Sequence, residues 1–164
     1  MFFPTLSPQL LQKVDPAKIG RTSQIMAGAL IIGVLTFACL AFFAAQGEPA
    51  KQPMIALMGA GMALMMLVVR FVVPTVIVNG GKSRLKEAAD EEQQKILAVL
   101  YQTKMIVGMA VLEGAAFFNL VAYIVEKQFW SYGVVAFLLG VMAISFPSQG
   151  QFECWAEEMK RDLN

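Results

Sequence analysis

The chain contains no histidine. That removes His-ligated haem, most catalytic zinc sites and the usual Ser-His or Cys-His nucleophile pairs. Charge is also scarce. Only 15% of the 164 residues are charged, against roughly 25% in an average soluble domain. Net charge is +1, which offers nothing to attract a nucleic acid. Cysteine is limited to Cys39 and Cys154. One lies in an apolar stretch and the other in a polar tail, so an intramolecular disulfide is not expected. Neither a phosphate-binding glycine loop nor a nucleophile elbow is present. Nothing in the sequence requires a cofactor or a resident metal, and no enzymatic activity is expected.

What is abundant is hydrophobicity, at 57% of residues, and the few charges leave long gaps. A gap of about 20 apolar residues is a helix that spans a bilayer. Four such stretches can be drawn, at 25–45, 54–78, 105–125 and 129–146. The expected fold is therefore an all-α integral membrane protein of two helical hairpins. A segment at 1–24 precedes the membrane domain at 25–147, and an amphipathic tail at 148–164 follows it.

Ser7-Pro8 and Asp15-Pro16 each pair a capping residue with proline at the first helical position, which predicts two short helical turns before span one. Asn79-Gly80-Gly81 is expected to stop span two. Residues 79–104 form a polar connection in which Leu85, Ala89, Ile96 and Leu100 recur at helical spacing, the pattern of an amphipathic helix that can continue into span three. In the tail, Phe152, Trp155, Ala156, Met159 and Leu163 share one helical face. Such a face either lies in the membrane interface or docks on the protein's own surface.

Basic residues set the orientation. Lys13, Lys18, Arg21, Lys82, Arg84, Lys86, Lys95, Lys104, Lys160 and Arg161 fall in the two tails and the long connection, while the short loops hold only Lys51 and Lys127. The positive-inside rule then places both termini and the connection in the cytoplasm, as in a bacterial-type inner membrane. Spans one and three also align at a shift of 80 positions, with Gly28 on Gly108, Phe37 on Phe117 and Leu40 on Leu120. A duplicated hairpin is one explanation. Small residues four apart in every span, such as Ala29 and Gly33, Gly59 and Ala63, Ala110 and Gly114, and Ala136 and Gly140, suit close helix packing. They predict a compact four-helix bundle, a homo-oligomer or a place in a larger membrane complex.

Two charges interrupt the apolar spans, Arg70 and Glu113. A charge near mid-bilayer costs roughly 2.5–3.5 kcal/mol on insertion scales, so it is paired, neutralised or wet. Counted from the cytoplasmic ends, both lie about 12–14 Å deep, which makes an Arg70–Glu113 ion pair one expectation. The alternative gives Glu113 a proton or small cation to bind, with Asn119 nearby, and leaves Arg70 as a marker of the cytoplasmic interface.

The stretch Met105-Ile-Val-Gly-Met-Ala-Val-Leu-Glu113-Gly-Ala-Ala resembles the glutamate-bearing helix of the proteolipid subunits of rotary ATP synthases. That resemblance, over about twelve residues, implies an ion-carrying role for Glu113 alone. In that family the carboxylate lies on the second helix of a hairpin with a cytoplasmic loop. Here it lies on the first helix of a hairpin whose loop is outside, so no ATP synthase role is implied. The expected function is that of a non-enzymatic accessory or scaffold protein that docks partners through the cytoplasmic helix 82–104 and the C-terminal tail, or else a small proton- or cation-conducting protein that uses Glu113.

Overall fold

The computed structural model describes residues 16–147 and 149–161. The turn expected at Ser7-Pro8 lies outside them. Among the described residues there are five α-helices and no strand: α1 Pro16–Ala44, α2 Met54–Glu87, α3 Asp90–Glu126, α4 Trp130–Ile144 and α5 Gln149–Arg161. Three helices are long and apolar enough to cross a membrane, over Gly20–Ala44, Met54–Lys82 and Glu92–Glu126. Helix α4 is apolar but has only 15 residues, about 22 Å of helix.

The centre of the arrangement is α3. Helices α1, α2 and α4 all pack onto it, α2 most extensively. Helices α1 and α2 contact α3 far more than each other, although a short loop joins them. This differs from the compact bundle of paired hairpins. Nine residues of loop, 45–53, are ample to let the two helices part, and α3 offers the small residues that draw both in. Ala115, Ala116 and Ala122 on α3 are fully buried, as are Leu112 and Leu120.

Residues 80 apart on α1 and α3 face each other. Phe37 and Phe117 meet edge to face with centroids 5.2 Å apart. The two helices run parallel at the same depth, and the shift of 80 is their register.

Two expected boundaries fall inside helices. The helix of span one begins at Pro16, so the pre-membrane segment 16–24 and the span are one element. Helix α2 passes through Asn79-Gly80-Gly81 and ends at Glu87. The glycine at 81 serves packing rather than termination, since a Cβ there would lie 2.7 and 2.8 Å from the methyl carbons of Leu100 on α3. The helix expected through the polar connection is broken at Ala88 and Ala89, which are extended, so Leu85 belongs to α2 and Ile96 and Leu100 to α3; from Asp90 on, α3 runs into span three without a break.

The tail folds back as α5. Met159 is buried with Val78, Leu85 and Leu97, and Trp155 and Ala156 pack against that cluster. Tyr101 of α3 meets the rings of Phe152 and Trp155 at 5.2 and 5.5 Å. Of the two fates open to the amphipathic tail, docking on the chain's own surface is the one observed.

Candidate functional site

Helical geometry on α3 decides which intramembrane polar groups can meet. Glu113 is half-buried and points along α1, where a Cβ on Gly33 would lie 3.4 Å from its Oε1. Gly33 lies directly against the carboxylate, at a separation where a Cβ would make an ordinary van der Waals contact. Among the described residues Glu113 has no hydrogen bond or ion pair.

Arg70 is engaged elsewhere. Its Nη2 donates to Ser145 Oγ at the end of α4, and that hydroxyl donates in turn to Val141 O at 2.7 Å. The stem of Arg70 crosses α3 at Gly108, with Cγ 3.7 Å from where a Cβ would stand. Gly108 precedes Glu113 by five residues, which on an α-helix is about 140° of rotation and about 7 Å of depth. The expected Arg70–Glu113 pair is therefore not formed. Depth counted along the spans brought the two near one level, but they occupy different faces of α3.

Asn119 lies on the same α2-facing side of α3 as Gly108, and is fully buried. Its Nδ2 donates to Gly59 O at 3.0 Å and to Ala115 O of its own helix at 2.9 Å. It joins α2 to α3 and is six residues from Glu113, about 9 Å along the axis and about 240° round it. The structure does not bring these two candidates together.

The same geometry defines a seam. Phe117 marks the side of α3 that meets α1, and Phe118 the side that meets α2 at Gly59. Between them, Ala110, Gly114, Val121 and Val125 are exposed, because α4 packs on the opposite side, where Tyr123 meets Tyr132 at 4.5 Å. The seam between α1 and α2 thus has two small residues, Ala110 and Gly114, on its floor near the level of Glu113, while Glu113 itself faces α1 at Gly33.

One structural carboxylate was not foreseen. Glu126, at the last turn of α3, is buried and accepts from the backbone N–H of Ile55 at 2.6 Å and of Ala56 at 2.7 Å. It caps the first turn of α2, whose own cap position is Pro53 with no side-chain bond. A carboxylate there satisfies orphan donors and complements the helix dipole. Ala50 N donates to Glu126 O at 2.9 Å, and Gln128 Nε2 donates to Ala50 O at 2.8 Å. The available signal was indirect: a helix beginning Pro-Met, with no Ser, Thr, Asp or Asn to cap it, needs a cap from elsewhere.

No protein-family model, curated protein or solved structure matches the chain. The functional reading rests on the residues themselves.

Proposed function

We propose that the chain is a four-span integral membrane protein with both termini inside, acting as a non-enzymatic accessory or scaffold. In this reading a partner's transmembrane helix enters the seam between α1 and α2. The observation that carries it is Glu113, an ionisable residue deep in an apolar helix with no partner among the described residues, facing α1 next to a seam floored by Ala110 and Gly114. Small residues permit close backbone approach, and a buried polar group joins helices when its partner arrives from the neighbour. The basic residues of the two tails and of the 79–104 connection supply the orientation argument. Helix α4 completes the four spans, extended by Phe129 and Phe146 at its ends.

The docking surface sits in the membrane rather than on the tail. The apolar face of α5 is already occupied by α2 and α3, which leaves only its polar face for cytoplasmic contacts.

A second reading draws on the same lone carboxylate. Without a counter-ion, Glu113 is able to bind and release a proton or small cation. Glu113→Gln separates the two. A scaffold with the substitution stays folded but elutes as a smaller assembly in mild detergent, with proteoliposome flux unchanged. A conductor keeps its assembly and loses flux. Carbodiimide labelling of Glu113 near neutral pH, blocked when the assembly is intact, supports the scaffold; labelling in intact assemblies together with flux supports the conductor.

A further inference from the structure

The apolar face of α5 is covered where Met159 and Trp155 pack on α2 and α3. At the edge where that face meets the polar one, α5 leaves an open groove against α3 of about 360 Å³. Leu97 of α3 with Phe152 and Ala156 of α5 forms its floor. Around them stand Gln94 of α3 and Glu153, Glu157 and Lys160 of α5, all four exposed. On α5 the three charged residues lie roughly 100–160° round the helix from Met159, so the groove opens on the flank turned away from α2. None of the four polar side chains has a hydrogen bond or ion pair among the described residues. Two carboxylates against one ammonium leave the rim an excess of one negative charge.

Chain path and charge both point to the occupant. Helix α1 reaches the root of α5, where Gln24 Nε2 donates to Pro147 O at 3.1 Å. From there α1 continues to Pro16, about 12 Å further, at the end of the molecule that holds α5. Residues 1–15 lie outside the described part, and a chain of that length extends up to about 50 Å. Packed helices stand about 8–10 Å apart, so the groove is within its reach. The segment includes Leu6, Leu10, Leu11 and Val14, and up to Arg21 the chain carries Lys13, Lys18 and Arg21 against Asp15 alone. An apolar segment with surplus positive charge complements an apolar floor with an acidic rim.

We infer that residues 6–14 of the same chain dock in the groove between α3 and α5, with their leucines on Leu97, Phe152 and Ala156 and Lys13 facing Glu153 and Glu157. The tail helix is then held between α2 on one flank and the N-terminal segment on the other. A partner that offers a segment of like chemistry has to displace residues 6–14 before it can bind there. The inference uses neither Glu113 nor the seam, and it holds in either membrane orientation.

The test is disulfide trapping of the full chain in nanodiscs, in a Cys39→Ser, Cys154→Ser background. Under mild oxidation, Leu10→Cys paired with Gln94→Cys should form an intrachain disulfide about tenfold faster than Leu10→Cys paired with Glu158→Cys on the opposite flank of α5. A tail that wanders freely would reach both. Glu157→Lys and Lys13→Glu should each slow trapping at position 94 about threefold. Combining the two restores an opposite-charge pair and should recover the parent rate, a gain that a folding defect cannot mimic. Equal trapping at positions 94 and 158, or charge variants that trap as the parent does, would overturn the site. Disulfides that join two chains rather than closing within one would overturn the occupant in favour of a second copy. Glu113→Gln should leave trapping unchanged, so failure of this inference and failure of the seam are separately visible.

Discussion

Asn119 and Gly59 show how one contact fixes two residues. The asparagine holds its place through two carbonyls, and a Cβ on Gly59 would lie 2.8 Å from its Oδ1 and 3.2 Å from its Cγ. Gly59→Ala should therefore destabilise the α2–α3 contact by about 1–3 kcal/mol, the usual cost of overpacking. Asn119→Ala should cost less, about 0.6 kcal/mol for a lost intramembrane hydrogen bond. The double variant should recover part of the Gly59→Ala loss, and a double-mutant cycle in detergent denaturation measures that coupling. Gly80 has no neighbour within 4 Å of an added Cβ, so Gly80→Ala should instead stabilise by up to about 1 kcal/mol through helix propensity. For Glu126→Ala the expected loss is about 1–2 kcal/mol, as for other caps, read as a lower unfolding midpoint. Here the sequence was only partly legible. It exposed Arg70, Glu113 and Asn119 as polar residues in apolar surroundings, but depth is one coordinate and azimuth another. Without knowing which helix lies against which face of α3, the pairing of Arg70 with Ser145 was out of reach. A terminal glutamate such as Glu126 reads as a turn residue until the unmet N–H groups of another helix are laid beside it.

Among the elements, α5 carries the clearest energetic statement. Met159 is 5% exposed, and truncating a buried methionine costs about 2–5 kcal/mol. Because the residue belongs to a small cluster separate from the main core, that loss should fall on docking of the tail. Met159→Ala should raise hydrogen exchange and protease sensitivity across residues 149–161 while the helix content of α1 to α4 stays constant. Protection lost equally throughout the protein would mean that the tail is integral to the core. Periodicity made this amphipathic face plain in the sequence. It could not say what the face covers, because a membrane interface and an apolar helical surface select the same residues. Length and hydropathy likewise found the apolar stretches, while the ends of α1 and α2 were missed. Polar residues and glycines read as stops, yet at Gly81 the neighbour Leu100 fills the space that the missing side chain leaves.

For the whole molecule, orientation is the most accessible property. Cys154 is exposed on α5, and Cys39 is exposed near the other end of α1 on its apolar surface. In a Cys39→Ser background, a membrane-impermeant maleimide should label Cys154 in inverted vesicles and leave it untouched in sealed right-side-out vesicles. Labelling from the outside would reverse the topology inferred from the basic residues. The distribution of contacts has a bearing on assembly too. Because α3 is the hub and α1 and α2 meet mainly through it, the molecule has one side where its central helix is bare.

The clamp at Glu126 also sets an order of events during synthesis. The first turn of α2 leaves the ribosome long before residue 126 does, and its N–H groups at Ile55 and Ala56 have no partner within the first hairpin. The first turn of α2 therefore remains uncapped until the far end of α3 has been made. A chain truncated before Glu126 carries α1 and α2 but lacks the carboxylate that caps the first turn of α2.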